Sequence, residues 1–228
     1  MDWQVIAESA DRRGRQKRIT VGSHLIGYNK LMTGNETDAI PENPPAVVVI
    51  PCYNAGARLK PVLSRLCEAG IPVVVADDGS TDGSANVEDW PGVHVTRFPV
   101  NRGKGHALLA GIGCALQAYP DLHAIVLMDA DGQHDPQDLQ KFIAAVLEHK
   151  GDLAIGQRSF TLRDVPLASW LGNRATSLLT ALLLGKWIAD TQCGYRGLSP
   201  RFAKKVLEAV PGGRYETETA MLVYAVKA

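Results

Sequence analysis

The sequence predicts an α/β fold, a mainly parallel twisted sheet with helices on both faces, and three observations predict it. Short β-branched runs alternate with segments of helical periodicity from Ala46 onward. The runs are continuously apolar rather than apolar at every second residue, which is the pattern of strands covered on both faces. Their C-terminal ends carry Asp, Asn, Gly and Ser, the residues such a sheet uses where it meets a ligand.

Strands are expected at Ala46 to Ile50, Val73 to Ala76, Val93 to Phe98, Ala124 to Met128 and Leu153 to Gly156. Leu59, Val62, Leu63 and Leu66 mark the buried face of one intervening helix, and Leu108, Ile112, Ala115, Leu116 and Tyr119 mark another. A third helix has Asp135 as N-cap, Pro136 in its first turn, Leu139, Phe142, Ile143, Val146 and Leu147 on its buried face, and Gly151 as its stop. Leu167, Trp170, Leu171, Ala175, Leu178, Leu179, Leu182 and Leu183 recur at the spacing of one long amphipathic helix, with Arg174 inside the repeat.

At 228 residues and 46% hydrophobic content, the chain suffices for one sizeable domain. Residues 1–45 read as a polar extension closed by the stiff Pro41-Glu42-Asn43-Pro44-Pro45, and residues 46–228 as the globular domain. Arg12, Arg13, Arg15, Lys17 and Arg18 lack an accompanying apolar face, so they read as a solvated tail able to touch anionic headgroups.

Lys+Arg and Asp+Glu are equal at 24 each, so no bulk field favours nucleic acid and an anionic ligand must be held locally. Cys52, Cys67, Cys114 and Cys193 form no Cys-x-x-Cys pair, which argues against a zinc ribbon and for reduced, structural thiols in a cytosolic setting. Neither a secretory leader nor an apolar run of membrane-spanning length, about 20 residues, is present in the sequence.

Asp129-Ala130-Asp131 follows the strand Ala124 to Met128 directly. Two carboxylates one residue apart at a sheet edge are hard oxygen ligands suited to a divalent cation that bridges to phosphate. Two earlier strands run into Pro51-Cys52-Tyr53-Asn54 and Asp77-Asp78-Gly79-Ser80-Thr81-Asp82-Gly83-Ser84, turns able to accept hydrogen bonds from a base or ribose. Asn101-Arg102-Gly103-Lys104-Gly105 opens a helix, placing N–H groups and an ammonium where an anion could bind, without Walker spacing.

In this order the motifs resemble the family 2 glycosyltransferases of GT-A fold, inverting enzymes that use nucleotide-diphospho-sugars with Mg²⁺ or Mn²⁺. Asp131-Gly132-Gln133-His134-Asp135-Pro136, Gly156-Gln157-Arg158, Gly172-Asn173-Arg174 and Asp190-Thr191-Gln192-Cys193-Gly194-Tyr195-Arg196 are similar to the polyprenyl-phosphate sugar transferases within it. The resemblance covers roughly residues 46–225. It implies that Pro51, Tyr53, Asp77 and Asp78 hold the nucleoside, that Lys104 lies near the phosphates, and that Ala130 lines the donor site. Asp129, Asp131 and Gln133 are the implied metal ligands, Arg158 and Arg174 the implied contacts to an acceptor phosphate, and Asp190 the candidate general base, with Asp131 also counted as catalytic. His134 reads as a capping or supporting residue.

The implied reaction moves a hexose from a UDP- or GDP-sugar to a polyprenyl (dolichyl or undecaprenyl) phosphate, at the cytoplasmic membrane face and with peripheral membrane contact. Alternatives are a glycan or small-molecule hydroxyl acceptor, and a truncated donor-binding module without turnover. A nucleotidylyltransferase fits less well, because Pro51-Cys52-Tyr53-Asn54 stands where it would carry a basic Gly-rich loop. Related enzymes continue past Tyr215-Glu216-Thr217-Glu218, so the resemblance implies a domain truncated at its C-terminal acceptor side.

Overall fold

The computed structural model describes residues 2–6, 44–133, 138–148, 152–157, 177–178, 180–182, 185, 187–188, 190–214 and 216–227. Its strands are β1 (Asp2–Ile6), β2 (Ala46–Cys52), β3 (Val73–Asp77), β4 (Val93–Arg97), β5 (Ala124–Leu127), β6 (Leu153–Gln157) and β7 (Arg196–Leu198). The helices are α1 (Leu59–Glu68), α2 (Lys104–Ala118), α3 (Leu139–Glu148), α4 (Pro200–Ala209) and α5 (Glu216–Lys227). All seven strands form one sheet in the order β1-β6-β7-β5-β2-β3-β4.

The five predicted strands and the three predicted helical faces are present, shifted by a residue or two at their ends. In β2, consecutive residues point to opposite faces of the sheet, yet Val47, Val48, Val49 and Ile50 are all fully buried. Both faces of the sheet are therefore covered. Leu59, Val62, Leu63 and Leu66 of α1 are buried as their spacing predicts, as are Leu139, Phe142 and Ile143 of α3. Truncating any one of these leucines to Ala removes roughly 2–5 kcal/mol.

Strand direction departs from the expected pattern in one half of the sheet. β2 is parallel to β3 and β5, and β3 to β4, but β7 is antiparallel to both β5 and β6, and β1 is antiparallel to β6. Periodicity missed β1 and β7. β7 is three residues long and contains a fully buried Arg and a Gly, so it carries no β-branched run. β1 lies within the stretch read as a polar extension and pairs along the sheet edge from Asp2↔Gln157 to Ile6↔Leu153.

Start signals are clearest at α4. Ser199 caps it by accepting a hydrogen bond from the Phe202 N–H (3.1 Å), Pro200 occupies the first turn, and the Ser199 hydroxyl donates to Asp152 Oδ1 at 2.6 Å. Asp135, Pro136 and Gly151 lie outside the described residues, as do the basic cluster at 12–18 and most of the long amphipathic repeat, of which Ser177, Leu178 and Thr180–Leu182 are helical.

Candidate active site

The ends of β2 and β3 are stapled together by short polar side chains. The Asn54 N–H donates to Ser80 Oγ (3.0 Å), the Ala55 N–H to Ser84 Oγ (3.1 Å), the Gly56 N–H to Asp82 Oδ2 (2.9 Å), and the Thr81 N–H to Asn54 Oδ1 (2.8 Å). The Asp82 carboxyl is held below the ordinary aspartate range, first by the Ser84 hydroxyl and then by the Ser84 and Gly56 N–H groups. Much of the Asp77 to Ser84 motif therefore builds the turn itself. Tyr53 is left half-exposed beside it.

The carboxylate pair at the end of β3 also faces inward. Asp77 accepts from the Ser80 N–H (2.8 Å) and pairs with Arg97 Nε (2.7 Å). Asp78, 2% exposed, accepts from the Arg102 N–H (2.7 Å) and the Gly103 N–H (2.8 Å), one on each oxygen. Asp78 accordingly fixes the loop before α2, while Asp77 fixes its own turn to the end of β4.

That arrangement corrects the expectation of free N–H groups at the start of α2. Arg102 and Gly103 give theirs to Asp78, while Gly105 and His106 donate to the carbonyls of Arg214 (2.9 Å) and Gly213 (3.2 Å). Gly105 is needed for this close approach, since a Cβ there would lie 2.0 Å from Thr217 Oγ1 and 2.7 Å from the Gly213 carbonyl oxygen. These four donors serve the fold, and the cationic side chains at the cleft are those of Lys104 and Arg214.

Lys104 reaches the end of β5. Its Nζ lies 2.7 Å from Asp129 Oδ1 and 3.1 Å from Glu218 Oε2. Burial alone would lower its pKa, but the charges and hydrogen bonds of Glu218 and Asp129 outweigh it and raise the group above its ordinary value, so it stays protonated through neutral pH. Glu218, in α5, was not anticipated from the sequence; its sole advance sign was the Glu216-Thr217-Glu218 run in a helix start.

The loop before β7 completes this corner. Because β7 is antiparallel to β5, with Leu127↔Arg196 paired, residues preceding β7 lie opposite those following β5. Gly194 lies against the Asp129 carboxylate, where a Cβ would come within 2.2 Å of Oδ2. Arg196, fully buried, donates to the carbonyls of Cys193 (2.9 Å), Thr191 (3.1 Å) and Glu218 (2.7 Å), joining this loop to α5. Asp190 is buried, its Oδ1 accepts from the Gln192 N–H (3.1 Å), and it does not line the cleft described next.

Pro51, Cys52, Tyr53, Asp78, Asn101, Gly103, Lys104, Asp129 and Arg214 line one cleft of about 410 Å³ at the C-terminal edge of the parallel strands. Thus Pro51, Tyr53, Asp78, Lys104 and Asp129 come together in one cleft, whereas Asp77, Ala130, Asp131 and Gln133 are not among its lining residues. Burial pushes the Cys52 thiol above its ordinary value, so it offers no thiolate nucleophile. Ala130 packs partly on the core, Gln133 is exposed, and Asp131 accepts from the Gln133 N–H (2.9 Å). Arg158, Arg174 and His134 lie outside the described residues. A larger groove of about 540 Å³ between the end of α4 and α5 has mostly apolar walls and contains none of the predicted site residues.

Among the described residues, no three His, Cys, Asp or Glu side chains form a metal cage. Asp129 and Asp131 place two hard carboxylates at one strand end, with Asp129 lining the cleft, and their chemistry would fit a divalent cation completing its shell with phosphate and water oxygens. The bare Gly194 surface leaves room for the Asp129 carboxylate in that corner. Among the described residues, no helix is long and apolar enough to cross a membrane.

Residues 47–207 match the model of the family described as "Glycosyl transferase family 2". This chain belongs to glycosyl transferase family 2. It is a glycosyltransferase of GT-A fold. It is 28% identical over 201 residues to a UDP-N-acetylglucosamine–dolichyl-phosphate N-acetylglucosaminyltransferase of Methanococcus voltae, covering 79% of each chain. Over 175 residues it is 33% identical to the polyprenol monophosphomannose synthase of Mycolicibacterium smegmatis, covering 72% of this chain and 63% of that one. Glucosyl-3-phosphoglycerate synthase of Mycobacterium tuberculosis, solved with Mn²⁺, UDP and phosphoglyceric acid, superimposes with a TM-score of 0.61 at 21% identity, over 92% of this chain and 70% of that one.

Proposed function

We propose that this glycosyltransferase moves a hexose from a UDP- or GDP-sugar to a polyprenyl phosphate at the cytoplasmic face of the membrane, by a single inverting displacement that depends on Mg²⁺ or Mn²⁺. The observation that carries the reading is the corner where Asp129, Lys104 and Gly194 meet at the mouth of the Pro51–Tyr53 cleft. The printed activities of the two relatives support a lipid-phosphate acceptor. The Mn²⁺ and UDP held by the structural neighbour support the donor side.

Pro51 and Tyr53 receive the nucleoside on a turn kept in place by Asp77 and the Asn54–Ser84 staples, and Asp78 holds the facing Arg102–Gly103 loop. Asp129 and Asp131, with Gln133 beside them, present the oxygens that hold the cation, and Ala130 spaces the two carboxylates. A bound divalent cation offsets the charge developing on the departing nucleoside diphosphate. Lys104 adds a second positive charge beside it. Arg158 and Arg174 supply guanidinium forks for the acceptor phosphate.

A phosphate monoester, with a second pKa of about 6, is already largely dianionic at neutral pH and needs little deprotonation. Asp190 then matters mainly for the turn that leads to Gly194, whereas a hydroxyl acceptor would require it as a base. The phosphoglyceric acid in the neighbour keeps a small-molecule acceptor as the second reading.

The test is a nucleotide-release screen of common UDP- and GDP-sugars with Mg²⁺ or Mn²⁺, with and without a short-chain polyprenyl phosphate. Release from one donor, stimulated by the lipid phosphate and only modestly reduced by Asp190→Asn, is the expected result. Stimulation by phosphoglyceric acid instead, with severe loss on Asp190→Asn, supports the second reading. No release from any donor rejects both.

A further inference from the structure

Lys104 is gripped by two carboxylates that differ in how they are held. Glu218 is anchored independently of it: its main-chain carbonyl accepts from Arg196 Nη1 at 2.7 Å, and its Oε1 lies 4.0 Å from Arg196 Nε. Arg196 is in turn fully buried and tied to two further carbonyls. At the other end, the main chain around Lys104 is clamped by Asp78 and by the Arg214 carbonyl. Between these fixed points the four-carbon lysine arm can swing.

Its Nζ rests 2.7 Å from one oxygen of Asp129, the carboxylate read above as the first metal ligand. An ammonium and a divalent cation repel, so both cannot sit on Asp129 at full strength. Glu218 Oε2, 3.1 Å away on the far side, is a counter-charge to which the ammonium can retreat without leaving the cleft. Loss of that counter-charge would leave Lys104 with Asp129 as its remaining acidic partner of the two.

We propose that Lys104 stands in for the cation on Asp129 in the metal-free protein and is handed to Glu218 when the cation arrives, so that Glu218 sets metal affinity through Lys104. Glu218 is thereby a positioning residue, distinct from the metal ligands. The inference rests on the reading of Asp129 and Asp131 as the metal site.

The experiment is a double-mutant cycle on Mn²⁺ affinity, read from the free-Mn²⁺ signal in electron paramagnetic resonance with the metal alone and repeated with UDP. Lys104→Met should tighten Mn²⁺ binding about tenfold, the order expected for removing one nearby, partly screened positive charge. Glu218→Gln should weaken binding by a similar factor in the wild-type background and have little effect in the Lys104→Met background. Unchanged or weaker binding in Lys104→Met, or an equal Glu218→Gln loss in both backgrounds, overturns the handover. Asp129→Asn and Asp131→Asn separate the two readings: if they leave Mn²⁺ binding intact, the metal site itself is misplaced and the handover falls with it.

Discussion

The two halves of the sheet contribute to the cleft in opposite ways. In the parallel half, β2, β3 and β5 each deliver polar residues just after the strand ends, as a doubly wound sheet should. In the antiparallel half, β7 runs the other way, so residues just before it reach the same edge. The parallel half supplies side chains that line the cleft, such as Tyr53, Lys104 and Asp129. The reversed strand supplies Gly194, which makes room, and Arg196, which ties two elements together. The parallel half presents the polar groups on turns that it braces itself, and the reversed strand sets the close fit at Asp129.

The strongest way to sharpen that contrast is to remove chemistry and geometry separately. Replacing Asp129 and Asp131 together with Asn should reduce metal-dependent nucleotide release by roughly 10³-fold or more while urea unfolding stays close to wild type. Arg196→Met should do the reverse. Leaving three carbonyl groups without their buried donor should cost roughly 3–5 kcal/mol in urea unfolding. A fully stable Arg196→Met protein would break the assignment of geometry to the reversed strand.

Gly194→Ala tests the meeting point of the halves. Its Cβ would displace the Asp129 carboxylate, so activity should fall about 10²-fold with the fold retained. Asp78→Asn comes next, because an amide can accept from only one of the two N–H groups at Arg102 and Gly103. A loss of about 1–3 kcal/mol in stability and a raised donor KM are expected.

The smallest effect belongs to Asp82→Asn, a slight drop in Tm at neutral pH. Because the folded carboxyl sits below its ordinary value, its contribution is present above the aspartate range and disappears as pH falls through the depressed value. The wild-type and variant melting curves should therefore converge in strong acid. A gap that persists there would assign the effect to packing.

The parallel half was legible in the sequence because continuous burial leaves continuous apolar runs, and because Asp129 and Asp131 follow one of them directly. Asp129 was found by that route and Tyr53, Asp78 and Lys104 by the resemblance of the turns around them, and the structure brings the four into one cleft. What escaped was set by pairing and direction, which no local pattern encodes. β7 is too short and too polar to read as a strand, and Glu218 reaches Lys104 from α5, which Arg196 ties to the loop before β7 and which packs on Gly105. The inward turn of Asp77 and Asp78 was likewise hidden, since a carboxylate that binds a loop and one that binds a ligand look identical in sequence.

β7 fills the gap between β5 and β6, although the chain makes it after both. Until it inserts, those two strands have facing edges with unpaired N–H and C=O groups, and no local contact can close them. The corner around Asp129 is therefore closed by a long-range insertion rather than by a hairpin. A partly folded chain at that stage carries the nucleoside turn ready-made but exposes two sticky strand edges beside it, the condition under which aggregation competes with folding.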